Sequence, residues 1–291
     1  MRTRPASVVS TRLAPFFLLI CAVLTCPSLF AADIKPEDVI AKSLESIAPA
    51  PVRAAVKSRV TQGPATYRVL TGGSGAVDGK FVLASEGPKS DFLFKVMTNG
   101  FLGEQFICDG NKISVAGTYT DKQRSEFGTF VLSQEILLRE NLLGGALSSG
   151  WALLDIDSHK PKLHYEGIKK MDNRDLIALR YQSKKSGDME IFFYFDPQTY
   201  QHVMSTFQVR ISSGIGLGGE TTSARQQENR SLIQERFSDF KAIDGLTLPT
   251  HYDLRFTLET PGGFTKSIEW EAKSLTILNN QSVDPRSFQV K

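Results

Sequence analysis

The body of this sequence holds a single cysteine. Three occur in 291 residues; Cys21 and Cys26 lie within the first 32, and only Cys108 lies beyond. One thiol cannot close an internal disulfide, so burial alone must hold the fold. Cys108 sits in "EQFICDG" between apolar neighbours, the setting of a buried, inert thiol rather than a reactive one. Histidine is nearly as scarce. His159, His164, His202 and His251 show no H-x-x-x-H spacing and none lies beside a second cysteine, so no metal motif is present. No G-x-S-x-G occurs, which leaves out a nucleophile elbow. "GIGLGG" does match G-x-G-x-x-G at Gly214, Gly216 and Gly219, but "ETTSARQQENR" follows it. That stretch has no apolar face to pack a helix on a sheet, so the glycines read as a loop and not as a dinucleotide site. A surplus of one charge is missing too. Three arginines lie in the first 32 residues, leaving 31 basic against 31 acidic side chains. No global field steers such a chain to nucleic acid or to an anionic membrane surface. Fixed-period repeats and low-complexity tracts are absent as well.

The N-terminus carries the one long apolar run. Arg2, Arg4 and Arg12 precede "LAPFFLLICAVL", and Ala31 and Ala32 follow. That is the layout of a secretory signal peptide over residues 1–32, with cleavage near Ala31 or Ala32. The run is shorter than the roughly 20 apolar residues a membrane-spanning helix needs. Lipid attachment at Cys26, after "VLT", fits less well, because Thr25 is larger than the usual small residue. Residues 33–291 then form a single exported domain. About 260 residues bury a large core without staples.

"IKPEDVIAKSLESIA" reads as an amphipathic helix over 36–48. Pro36 suits the first turn, Glu37 and Asp38 suit its positive end, and Ile40, Leu44 and Ile47 share a face. Strand-like segments follow from Val56, rich in Val, Thr, Tyr and Phe and separated by turn signals such as Asp109-Gly110, Asp196-Pro197 and Asp244-Gly245. Short turns between about ten or eleven strands mean antiparallel neighbours. "SQEILLRENLLGGALSSGWALLDID" interrupts the rhythm, with Ser133 placed to cap one or two short helices over 134–153. Aspartates 155 and 157 at its end read as a solvated exit and not as a cation site.

The strand faces carry the functional signal. In "THYDLRFTLE", Tyr252, Leu254, Phe256 and Leu258 share one face, while His251, Asp253, Arg255, Thr257 and Glu259 share the other. The polar set, long and mixed in sign, reads as a solvated sheet face; the apolar set needs cover. Ile268, Trp270 and Ala272 repeat the pattern, after which Leu275 and Ile277 change parity, as a bulge near 272–274 would produce. "MEIFFYF" offers Ile191, Phe193 and Phe195, and "HVMSTFQVRI" offers Val203, Phe207, Val209 and Ile211.

Asp196-Pro197, the aromatic-Asp-aromatic strand Phe237–Phe240, Asp244-Gly245 and Leu248-Pro249 follow one another in an order that resembles the periplasmic lipoprotein-carrier superfamily (LolA/LolB-like proteins). The order of elements resembles that family along the whole exported part, and the specific matches lie in the last hundred residues. The chain is longer than a typical carrier, with extra residues around Gly117–Glu126 and Ser212–Asn229. The family's lid-holding arginine aligns with no single residue; Arg59 lies in the corresponding region. The resemblance implies an α+β, mostly antiparallel β fold. Its sheet is a curved, incomplete half-barrel whose concave face is covered by helices acting as a lid. It further implies an apolar cavity that takes acyl chains.

The expected function is then an exported, non-enzymatic, periplasmic carrier of lipid or of an acylated lipoprotein, serving outer membrane biogenesis. It needs no cofactor, no metal and no catalytic residue, and works as a monomer. The cavity is expected to be lined by Phe92, Phe94, Phe193, Phe195, Phe207, Tyr252, Leu254, Phe256, Ile268 and Trp270, each of which could equally be plain core. Two other readings stay open. One is an envelope regulatory or scaffold protein that binds a protein partner through its sheet and keeps a filled, ligand-free core. The other is an exported hydrolase, which would need a nucleophile and base assembled in space.

Overall fold

Asp-Gly and Asp-Asn dipeptides set the hairpins of this chain, as their tolerance of positive φ allows. Asp244 (φ 52°) and Gly245 (φ 79°) turn one hairpin, and Asp172 (φ 47°) and Asn173 (φ 62°) turn another. At the Asp109 turn, the carboxylate accepts from the backbone N–H groups of Asn111 and Lys112 at 2.8 and 2.7 Å. At the Asp196-Pro197 turn, the carboxylate accepts from those of Gln198 and Thr199, both at 2.9 Å.

The computed structural model describes residues 34–291 except 97, 99, 117–122, 186, 213–227, 261–262 and 291. The expected signal peptide, the "GIGLGG" segment and most of the Gly117–Glu126 insert fall outside the described residues. Helix α1 (Pro36–Ile47) forms where the periodicity places it, burying Val39, Ile40, Ser43 and Ile47, and a short α2 (Ala50–Ala54) follows. Five strands come next: β1 (Ser58–Thr71), β2 (Ala76–Glu86), β3 (Lys89–Val96), β4 (Gly103–Asp109) and β5 (Ile113–Ala116). A helical stretch then holds α3 (Glu126–Ser133), α4 (Ile136–Arg139), a 3-10 turn (Gly145–Leu147) and α5 (Ile156–His159). Strands β6 (Lys162–Met171), β7 (Arg174–Gln182), β8 (Glu190–Phe195), β9 (His202–Ser212), β10 (Glu228–Ile243), β11 (Leu246–Glu259), β12 (Thr265–Ala272) and β13 (Thr276–Asn279) complete the sheet.

All thirteen strands belong to one antiparallel sheet: twelve run in the order β5-β4-β3-β2-β1-β12-β11-β10-β9-β8-β7-β6, and β13 pairs with β1 off this path. Strands β5 and β6 are its two edges, so the sheet is open and not a closed barrel. Topology explains the helices. The connection from β5 to β6 must travel from one edge to the other, and it does so across one face. Along the way α3 lies on β5, α4 on β4, and the 3-10 turn on β9 and β11; α1 joins them against β11 and β6. We call this the inner face and residues 134–159 the strap.

The structure refines the reading of the sequence at three places. Ser133 ends a helix instead of starting one. The cap is Ser125, whose hydroxyl accepts from the Gly128 N–H at 2.8 Å, while the Ser133 hydroxyl donates back to the Phe130 carbonyl. The β-branched and aromatic residues of "TFVL" had concealed that helix. The parity change after Ala272 is not a bulge but a break. Ser274 adopts φ 50°, and β13 resumes on the other half of β1, pairing Thr61 with Ile277, which adds to the strand count. The third difference is at Val203. The β8–β9 register slips there, with Tyr194 opposite Met204 and Phe195 opposite His202. The slip sends Val203 into a small outer cluster with Leu176, Ala178, Tyr194 and Met204, while Phe207 and Val209 stay in the main core. Ile211 is 61% exposed.

Outside, the polar row of β11 is ion-paired as well as wet. Arg255 meets Glu269 at 2.7 Å, and Arg68 meets Glu271 at the same distance. No helix among the described residues is long and apolar enough to cross a membrane. Cys108 is buried, and burial raises its thiol pKa, as expected of an inert thiol.

Candidate functional site

The strap is apolar beneath and tethered by a handful of polar contacts. Leu137, Leu142, Leu147 and Trp151 are wholly buried against the inner face. Gly144 adopts φ 80° and Gly145 φ 50°, and a Cβ on Gly144 would sit 2.8 Å from the Leu83 side chain. The Gly-Gly pair therefore lets the backbone lie directly on the sheet. The Gly144 N–H donates to the Glu235 carboxylate at 2.7 Å, and the Tyr252 hydroxyl donates to the same oxygen at 2.5 Å. Arg59 Nη1 donates to the Ala146 carbonyl, and Thr61 Oγ1 to that of Leu147 at 3.1 Å. Further along, the Ser149 N–H donates to Ser85 Oγ at 2.8 Å. Gly150 is tighter still, since a Cβ there would stand 2.0 Å from the Gly87 carbonyl oxygen. Gly150→Ala is expected to unseat this end of the strap at a cost of about 1–3 kcal/mol. Faster amide exchange over 141–155 would show it, and unchanged protection would refute it.

Where the strap meets α1 and α2, a cleft of about 720 Å³ opens. That is within the range of small-molecule sites. Ile47, Val56, Leu154 and Leu246 supply its apolar walls, and Arg53, Lys57, Arg59 and Arg139 its charge. Asp155 is the one acid among its lining residues. Arg59 is only 2% exposed. Burial lowers its pKa to about 10, which still leaves it cationic at neutral pH. Its Nε donates to Asn279 Oδ1 at 2.8 Å. A second hollow of about 790 Å³ adjoins the cleft and shares Arg139, Ser158 and His159 with it, but its walls are mostly polar.

The ten side chains expected to line a cavity come together, all buried in one cluster. Phe94 stacks on Trp270 with centroids 4.6 Å apart, and Tyr252 lies 6.3 Å from Phe94 in a parallel arrangement. Phe193 meets Phe207 edge-on at 6.4 Å, and Phe256 packs on Phe127 and Phe130 of α3. Leu254 and Ile268 fill the row between β11 and β12, while Phe195 lies against His202. Beside Phe92 and Leu83 the void is about 10 Å³, room for one water at most. None of the ten lines the 720 Å³ cleft.

Two buried acids and a buried base were missed in the sequence, although strand parity marks them. Glu235 falls in the same row as Ile233 and Phe237, and Glu104 in the row of Phe106 and Cys108. An acid in an apolar row is the signal. Burial pushes Glu235 up to about 7, against the donors Tyr252 and Gly144 that favour its charge. Burial likewise pushes Glu104 up to about 8, opposed in part by the Ser125 hydroxyl.

His202 Nε2 lies 3.0 Å from Ser205 Oγ, the contact of a nucleophile with its base. Both are buried, His202 is stacked on Trp151, and burial drives the imidazole down to about 3. Sealed under the strap, the pair packs as part of the core. On the outer face His251, Asp253 and Glu271 place ligand atoms within 4.8 Å of one another. Glu271 already carries Lys273 at 2.6 Å and Arg68 at 2.7 Å, so its own charge is offset within the protein.

The chain matches no family model and no curated protein sequence. Its structure is similar to those of solved proteins over most of its length. A DUF1329 family protein from Desulfovibrio piger covers 88% of this chain and 98% of its own, at 10% identity and a TM-score of 0.45. A LolA superfamily protein from Nitrosomonas europaea covers 88% and 98%, at 12% identity and a TM-score of 0.43. A domain assigned to outer membrane lipoprotein sorting, from Vibrio parahaemolyticus, covers 87% and 97%, at 10% identity and a TM-score of 0.43.

Proposed function

We propose that this protein is a periplasmic, non-enzymatic carrier that binds a lipid or the acyl chains of an acylated protein. The 720 Å³ cleft beside the strap carries this reading, because it joins apolar walls to a cationic rim as an amphiphile requires. The strap is the movable part. Its grip combines buried leucines with polar tethers, and lifting it would bare the inner aromatic face, Phe92, Phe94, Tyr252 and Trp270 included, to a hydrocarbon chain. Each methylene then buried contributes about 0.8 kcal/mol.

One observation favours a second reading. The aromatic core leaves only about 10 Å³ beside Phe92. A protein whose core stays shut would act as an envelope scaffold, binding a protein partner through its surface. Native mass spectrometry of protein purified from the bacterial envelope separates the two. A co-purifying lipid of defined mass is the expected result. A clean apo mass, with no uptake of a fluorescent fatty acid, would overturn the carrier and leave the scaffold.

A further inference from the structure

We propose that the cleft is an anion seat, in which Arg59 holds the carboxylate or phosphate head of an amphiphile whose chain lies along Ile47, Val56, Leu154 and Leu246. The ligand class builds on the carrier reading; the seat itself can be tested without it.

A buried guanidinium normally has a carboxylate beside it, because an uncompensated charge out of water is expensive. Arg59 has none: among the described residues no acid forms an ion pair with it, and its partners are the neutral Asn279 amide and the Ala146 carbonyl. Its Nη2 has no hydrogen-bond partner among the described residues, although Arg59 lines the cleft. Two neighbouring cations, the half-buried Arg53 and the exposed Lys57, also lack an acid partner among the described residues. Arg53 donates to the Leu44 and Ala48 carbonyls, and Lys57 to that of Ala54; neither pairs with an acid among the described residues. Arg139 does, pairing with Glu135 at 2.7 Å. The cleft's one acid, Asp155, accepts from Ser158 at 2.7 Å. Three cations with no acid partner among the described residues thus line a cleft whose apolar walls, Ile47, Val56, Leu154 and Leu246, alternate with the polar Asn141, Ser149, Ser158 and His159. The missing partner is an anion. A planar carboxylate or a phosphate suits a guanidinium, and the low dielectric around Arg59 strengthens the contact.

Isothermal titration of the full exported chain with three probes tests the seat. Laurate carries chain and charge, dodecanol the chain alone, and inorganic phosphate the charge alone. Laurate is expected to bind at least about ten-fold more tightly than dodecanol, the effect of one charge-assisted hydrogen bond. Arg59→Gln is expected to remove that difference while sparing dodecanol, and Arg59→Lys to retain most of it. Competition by phosphate would assign the seat to phosphate heads or free phosphate, and its absence to carboxylates. Equal binding of laurate and dodecanol, or a laurate affinity unchanged in Arg59→Gln, would overturn the proposal. Should Arg59→Gln fail to fold, the Arg53→Gln/Lys57→Gln pair decides: a loss of laurate affinity of about three-fold or more supports the seat, and no loss sinks it. If neither amphiphile binds but phosphate does, the carrier reading fails and the seat stands. If nothing binds, both fail.

Discussion

Trp270→Ala is expected to remove about 3–5 kcal/mol of stability, the usual loss for a fully buried tryptophan. In a chain of this size that lowers Tm by roughly 6–20 °C. Trp270 stands where the two halves of the sheet meet. Its strand β12 joins β11 to β1, and the indole faces Tyr67 on one side and Leu254 on the other. The ring also stacks on Phe94 at 4.6 Å and lies 4.7 Å from Tyr67, so its loss empties a volume that four strands enclose. Trp270→Phe should be milder. It keeps most of the ring volume, and it removes an indole N–H that has no acceptor among the described residues. Urea unfolding of the three proteins measures the effect. A loss below about 1 kcal/mol for the alanine variant would mean that the site is already hollow. That outcome would move the ligand cavity from the rim to the core.

Glu104→Gln is expected to reshape the pH dependence of stability. Glu104 lies on the inner face with its carboxyl raised to about 8, against an ordinary value of 4.5. Below that ordinary value both folded and unfolded chains hold the proton, and stability is complete. Between it and about 8 the unfolded chain ionises while the folded chain does not. Stability therefore falls by about 1.4 kcal/mol per pH unit for such a group, a few kcal/mol in all. Glutamine cannot ionise. The variant should unfold at higher urea than the native protein at pH 8 and at nearly the same urea at pH 4.5. Glu235, raised to about 7, and Asp91, raised to about 6, keep a residual slope of the same sign in both proteins. His202 acts oppositely. Held neutral by burial, it forgoes the proton that the unfolded chain takes up below about 6.5. Comparison at each pH cancels it. Parallel profiles for native and variant protein would show Glu104 to be ionised in the fold, with a counter-charge yet to be found.

The alternation of Tyr252, Leu254 and Phe256 with His251, Asp253 and Arg255 was enough to sort the two faces of β11, because side chains on a strand alternate whatever lies across from them. The Asp-Gly turns and the first helix were legible for the same reason: their causes lie within four residues. Legibility ended where a partner was needed. Strand periodicity alone gives Arg59 no role; resemblance placed it only in the region of a lid-holding arginine, and its contact appears when Ala146, 87 positions away, is laid on it. Val203 belonged to the core by parity, and only the slipped pairing of β8 with β9 turned it outward.

The sequence by itself determined strands, turns, one helix, and which side chains avoid water, since each follows from local sterics and a period of two. Only the tertiary structure decided that residues 126–159 cross the inner face, because that depends on β5 and β6 ending at opposite edges of one sheet. The crossing brings the cations of α2 and β1 beside the strap. The cleft exists only because residues far apart in the chain, each placed by its own local rule, meet at that rim.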